Sequence, residues 1–263
     1  MSAILFFYIF FFIFGTIVGS FLNVVVLRYN TGVSVARGRS FCFSCSKKLS
    51  WSELVPVLSF LFQKGRCRGC KSKISWQYPV VELLTGLLFA GVFWKYGLSE
   101  LLSNIPIVVI SLILMALFVA ITVYDIKHRI IPDGLIVSFG VLSLINIFLT
   151  IHNDFLWPLL AGPILALPLF LIWLFSKGRL MGLGDPKLVL CIGWFLGLRF
   201  GLTAVILAFW TGAVYGLALM ALSYFKWHGL NISRKSELPF APFLILGFLL
   251  IFFFNLSLLP LLF

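Results

Sequence analysis

Residues 105–124 read IPIVVISLILMALFVAITVY, a run without a charged side chain, and the next residue is Asp125. Crossing the hydrocarbon of a bilayer takes roughly 20 consecutive apolar residues in an α-helix. The run therefore predicts a membrane-spanning helix with an acid at its end. A carboxylate beside hydrocarbon is costly to keep, so it is a functional candidate by default. One other acid lies in a comparable place: Asp185, in Met181-Gly-Leu-Gly-Asp185-Pro-Lys187, just before a later apolar run.

The rest of the chain has the same character. It has 263 residues, 62% of them hydrophobic and 11% charged, with a mean hydropathy of +1.13. That excludes an ordinary soluble domain and predicts an all-α, polytopic membrane helix bundle. The net charge of +12 is read as basic loops facing anionic lipid headgroups, not as a nucleic-acid footprint. The expected partners are membrane lipid and no nucleic acid.

About eight transmembrane segments are expected, near 4–27, 79–95, 105–124, 134–151, 156–176, 187–199, 201–225 and 240–262. The segment at 187–199 is short, and with Gly201 just beyond it 187–225 can equally be one bent helix. The first segment lacks the basic flank of a cleavable signal and is expected to span. With the N-terminus outside, every Lys and Arg except Lys95 and Arg199 falls on the inner side. The residues counted inside include Arg37 and the 226–239 group Lys226, Arg234 and Lys235. By the positive-inside rule this places both Asp125 and Asp185 at the cytoplasmic face.

The only long polar stretch, about 28–78, holds Cys42-x-x-Cys45 and Cys67-x-x-Cys70, with 21 residues between the pairs. Its two halves resemble each other at an offset of 25. Cys42-Phe-Ser-Cys45-Ser-Lys-Lys48-Leu49-Ser50-Trp51 aligns with Cys67-Arg-Gly-Cys70-Lys-Ser-Lys73-Ile74-Ser75-Trp76. Two equivalent knuckles supplying two thiolates each predict a tetrahedral, structural zinc site with no position open to water. Disulfides and an iron–sulfur cluster are the competing readings. Cys191, inside an apolar segment, is expected to be a small core residue.

Each aspartate also has a purely structural reading. Asp185 precedes Pro186 and a helix, so it can be an N-cap, although Gly182 and Gly184 beside it permit a close backbone approach. Asp133, which follows Pro132, is expected to cap the next segment. Asp125 sits where its own helix dipole disfavours negative charge, so an ion pair with Lys127, Arg129 or Lys187 is its structural alternative. Otherwise the two acids form a pair sharing one proton that orients a water against a carbonyl, with Asp125 carrying the proton and Asp185 acting as the base.

Taken together, these stretches resemble the type IV prepilin peptidases, or prepilin leader peptidase/N-methyltransferases, over nearly the whole chain. The resemblance rests on Gly19-Ser-Phe-Leu-Asn23, the paired cysteine knuckles and Tyr78-Pro-Val-Val-Glu82-Leu-Leu-Thr-Gly86. It continues through Asp125-Ile-Lys-His-Arg-Ile-Ile-Pro132-Asp133, Met181-Gly-Leu-Gly-Asp185-Pro-Lys187 and Pro239-Phe-Ala-Pro-Phe243. It implies a G-x-G-D intramembrane aspartic peptidase with Asp125 and Asp185 as catalytic residues, in the bacterial cytoplasmic (inner) membrane. Gly182, Gly184 and Lys187 support those acids. The implied substrates are prepilin or pseudopilin helices, whose short basic leader is removed at the cytoplasmic face. N-methylation of the new terminus, with S-adenosylmethionine as donor, is implied as well.

No strand–G-x-G-x-x-G–helix unit is present, and Glu82 is the acid best placed to hold the amine or the sulfonium. Asn23 can be a staple between helices, and Gly15-x-x-x-Gly19 permits close helix packing. Glu53, Asp133 and Glu237 are the acids available to a basic leader. The expected division is a methyltransferase-associated domain over 1–103, containing the zinc loop, and a peptidase domain over 104–263. The alternative reading is a proton- or cation-coupled transporter using Asp125 and Asp185.

Overall fold

The computed structural model describes residues 2–32, 34–35, 38–151, 154–224 and 238–257. Arg37, Lys226, Arg234, Lys235, Glu237 and the end of the last expected segment lie outside the described residues. The apolar runs form α1 (Ser2–Arg28), α3 (Gln77–Ser103), α4 (Ile105–His128), α5 (Asp133–Thr150), α6 (Leu156–Ser176), α7 (Gly184–Tyr224) and α8 (Ala241–Phe254). A 3-10 turn (Trp51–Glu53) and the short α2 (Leu58–Phe62) interrupt the polar stretch. Among the described residues the only β pairing is two isolated bridges, Phe41 with Lys48 and Arg66 with Lys73. Six helices, α1 and α3 to α7, are long and apolar enough to cross a membrane by length and composition.

In α7 the backbone leaves the helical region at Gly197, with φ 76° and ψ 177°. A Cβ placed on Gly201 would lie 3.4 Å from the Cα of Gly193, whereas eight residues of unbroken helix span about 12 Å. The chain therefore folds back at Gly197, and α7 is a tight pair of segments. With α8 this makes the eight apolar segments expected. The turn lies at Gly197 and not between 199 and 201, because only glycine adopts that φ/ψ combination without strain.

The chain divides into two compact units, Met1–Val123 and Tyr124–Phe263. In the first, α1 packs on α3 at backbone contact. A Cβ on Gly15 would meet the Cα of Gly86 at 2.8 Å, and one on Gly19 would meet the Cα of Glu82 at 2.8 Å. Apolar side chains gain nothing from leaving lipid for each other, so close van der Waals packing across small residues is what joins such helices. Asn23 adds polar ties, with its amide nitrogen 3.3 Å from the Tyr78 carbonyl and its oxygen 3.4 Å from the Gln77 amide.

In the second unit α7 packs against α5, α6 and α8. Pro163, inside α6, has no N–H, which leaves the Leu159 carbonyl without its helical partner. Trp194 Nε1 donates to that carbonyl at 2.9 Å, repairing one helix from its neighbour. Cys191 is buried and accepts a bond from Ser143 through its backbone carbonyl at 3.2 Å.

Replacing Gly197 with Ala forces a Cβ into a backbone region reserved for glycine, at a cost of about 1–3 kcal/mol. The Gly197→Ala protein should fold but lose several degrees of thermal midpoint in detergent, measured by tryptophan fluorescence. An unchanged midpoint would contradict the fold-back.

Candidate functional site

Asp125 lies in the last turn of α4. The helix stops four residues later, where Arg129 takes φ +55° and its N–H donates to the Asp125 carbonyl at 2.7 Å. The side chain is 4% exposed. Its Oδ2 accepts the backbone N–H of Ala241 at 3.2 Å, and Ala241 opens α8. The first amides of a helix have no partner within it and lie at its positive end. Asp125 thus has a capping partner after all, on a helix 116 residues away in sequence. None of the expected cations pairs with it.

Asp185 is in the first turn of α7, which starts at Gly184. It is therefore inside the helix and not at the N-cap. The carboxylate is half-buried, lies against the backbone of Gly182, and is within electrostatic reach of Asp125. The ion pairs among the described residues are Lys47 with Glu53 and Lys187 with Asp133, so neither Asp125 nor Asp185 is neutralised by a cation. Asp125, in the last turn of α4 and bonded to the start of α8, and Asp185, in the first turn of α7, thus interact electrostatically, and two acids that interact titrate as a pair.

The supporting residues fall around the pair. Gly184 faces Ile131, and a Cβ there would come within 3.0 Å of it, so the start of α7 presses on the α4–α5 connection. Gly182 is crowded by nothing nearer than Asp185 itself. Lys187 reaches Asp133 at 2.6 Å. Both ends of that pair are largely exposed, and such pairs contribute about 0–1 kcal/mol. Asp133 is the first residue of α5 with Pro132 as cap, and its carboxylate is committed to Lys187. Glu53 is likewise committed to Lys47 at 2.9 Å. The Ser50 amide, and then Lys47, hold the Glu53 carboxyl down to about 2.

The sulfurs of Cys42, Cys45, Cys67 and Cys70 all lie within 4.8 Å of one another, and Cys42 and Cys70 are 3.8 Å apart. Thiolates at 2.3 Å around one tetrahedral ion would be separated by about 3.8 Å. The two halves repeat atom for atom. Cys42 N–H bonds the Lys47 carbonyl and Cys67 N–H the Ser72 carbonyl, and Ser46 and Lys71 each donate back to the first cysteine of their knuckle. Ser46 and Lys71 both have positive φ, 56° and 61°. All four cysteines are free thiols. The Ser44 and Cys45 amides pull Cys42 down to about 6. At Cys45 the Lys47 amide favours the thiolate, but Cys70, burial and the other two cysteines push it up to about 11. The spacing of the four sulfurs fits a single ion.

Glu82 is 6% exposed on α3. Its Oε2 accepts the Val57 N–H at 2.7 Å, and Val57 has φ +60°, a conformation that a β-branched residue holds only under constraint. The side chain also lies against Ser20. Neither Val57 nor Ala241 announces itself in the sequence. The signal for Ala241 was its place in Pro239-Phe-Ala-Pro-Phe243; for Val57 there was none.

The Bacterial Peptidase A24 N-terminal domain matches residues 13–96, and the Type IV leader peptidase family matches residues 112–217. The chain is 32% identical over 244 residues to a prepilin leader peptidase/N-methyltransferase of Bacillus subtilis (strain 168), covering 93% of each chain. It is 36% identical over 219 residues to one of Myxococcus xanthus (strain DK1622), covering 81% of this chain and 63% of that one. A relative of the same name from Vibrio cholerae is 29% identical over 261 residues, 93% of this chain and 96% of its own. These names describe a peptidase and methyltransferase and lend no support to a transporter. No solved structure gives a significant match.

If the four thiolates hold one ion, Cys42→Ser should lower the metal content of the purified protein, read by plasma mass spectrometry, from about one ion per chain to near zero. Cys191→Ser, outside the cluster, should leave it unchanged.

Proposed function

The chain belongs to the type IV leader peptidase family, and on that footing we propose that it cleaves the basic leader of prepilins or pseudopilins at the cytoplasmic face of the inner membrane. It then methylates the new N-terminal residue with S-adenosylmethionine as donor. The observation that carries the peptidase reading is the electrostatic interaction of Asp185, in the first turn of α7, with Asp125, which accepts the first amide of α8, with no ion pair to either acid among the described residues.

The chemistry follows from that pair. The ionised carboxylate takes a proton from a water held between the acids, and the water oxygen attacks the scissile carbonyl. The protonated partner bonds the carbonyl oxygen as charge develops there. The proton then passes to the leaving amine, which restores the singly protonated pair. The amides of Ala241 and Gly182 hold the two side chains in place. The Ala241 bond stabilises charge on Asp125, so the proton is treated as shared between the two acids.

The N-terminus lies outside and both acids inside, as the distribution of Lys and Arg requires. Residues 104–263 carry the peptidase and 1–103 the methyl transfer. Cys42, Cys45, Cys67 and Cys70 hold zinc, which closes the loop and takes no part in hydrolysis. Glu82 is assigned to the methyl-transfer half. Its carboxylate already serves Val57 and Ser20, which favours positioning the loop over contact with the donor.

Purified full-length protein, incubated with a prepilin and labelled S-adenosylmethionine, should yield a shortened, N-methylated product by mass spectrometry. Asp125→Asn and Asp185→Asn should each slow cleavage by about 10²–10⁴-fold while metal content stays intact. Normal processing by both variants would end the assignment. The rate of the unaltered enzyme should fall in acid, when both carboxyls are protonated, and in alkali, when both are ionised. A flat profile between about pH 5 and 9 would count against a shared proton.

A further inference from the structure

The two cysteine knuckles share one backbone but not one surface. At the offset of 25, Phe41, Phe43 and Ser46 in the first knuckle correspond to Arg66, Arg68 and Lys71 in the second. Both knuckles make the same bonds and offer their sulfurs alike, so the metal fold does not require the second set to be basic. With Lys64, Phe62 and Gln63, these three cations line a cleft of about 660 Å³. None of the four is in an ion pair among the described residues. Four cations around one cleft with no acid among them form an anion site.

Glu82 ties the loop that carries this cleft to α3. That residue lies five positions inside α3, roughly 7.5 Å along its axis, and it bonds the amide of Val57. α2 begins at the next residue, so its start is tied to the second turn of a helix long and apolar enough to cross a membrane. There Leu58 and Leu61 are exposed and Phe62 is 77% exposed. Trp51 and Trp76, equivalent in the two halves, are 81% and 71% exposed. Exposed aromatic and aliphatic side chains beside a cluster of cations, with Phe62 lining the same cleft as the four, are the pattern of a surface that rests in the interface of an anionic membrane.

We propose that the Lys64–Arg66–Arg68–Lys71 cleft binds the phosphodiester headgroup of an anionic phospholipid, with Phe62 and Leu61 seated among its acyl chains. The exposed apolar residues favour a lipid over free phosphate. A basic leader peptide would be repelled from the same charges.

The test is native mass spectrometry of the full-length protein released from nanodiscs that mix phosphatidylglycerol with phosphatidylcholine. The unaltered protein should retain phosphatidylglycerol preferentially. Replacing all four cations (Lys64→Gln, Arg66→Gln, Arg68→Gln, Lys71→Gln) should weaken retention by at least about 10²-fold, since each charge is worth about fivefold. Metal content reports that the variant is folded. Lys71→Ser, the residue that the first knuckle carries there, should alone cost about fivefold and is already compatible with the knuckle. Phe62→Ser should weaken lipid retention with all charges present.

Three results would overturn the proposal. One is equal lipid retention by the four-cation variant. Another is complete displacement of lipid by excess inorganic phosphate with no effect of Phe62→Ser, which would make the ligand a free phosphate. The third is a variant that keeps its lipid but loses capture of a prepilin, which would make the cleft a substrate site.

Discussion

A carboxylate near hydrocarbon is costly unless a donor satisfies it, and two acids of the second unit, Asp125 and Asp185, each have a backbone partner. Asp125 takes its donor from the first amide of α8, and Asp185 lies against the backbone of Gly182. Both partners are main-chain groups at or just before the start of a helix, where unpaired N–H groups are available and the dipole favours negative charge. Among the described residues neither acid has a counter-cation. A cation beside either one would favour its ionised form and oppose the proposed sharing of a proton. Lys187, the nearest basic residue in sequence to Asp185, is drawn off by Asp133.

That arrangement depends on helices approaching at backbone distance. α7 meets α6 where Gly162 and Gly193 face each other, with a Cβ on Gly193 only 2.7 Å from the Cα of Gly162. The fold-back at Gly197 keeps the two halves of α7 against each other. Trp194 closes the gap that Pro163 opens in α6. In a membrane these contacts replace the hydrophobic effect as the source of cohesion, so small residues and repaired carbonyls matter more here than apolar content.

The cysteine loop follows a separate logic. Two copies of one knuckle bring four sulfurs within 4.8 Å of one another, a spacing that could hold one metal ion. Glu82 ties this loop to α3 through the strained Val57 turn.

Much of this was legible in the linear chain, because membrane helices must satisfy their own backbones and so advertise themselves as unbroken apolar runs. Residues 105–124, the offset-25 repeat and the glycines flanking Asp185 each carried their meaning locally. What they could not carry was contact between distant segments. The capping of Asp125 by Ala241 joins residues far apart in sequence, and Asp125 looked uncapped because only its own helix was visible. The turn of α7 at Gly197 was also hidden, since a glycine in an apolar run reads the same whether the helix continues or reverses. Composition and pattern determined the class of fold, the cysteine cluster and the two acids. Tertiary structure alone decided which backbone amides hold those acids, because that depends on where helix starts meet in space.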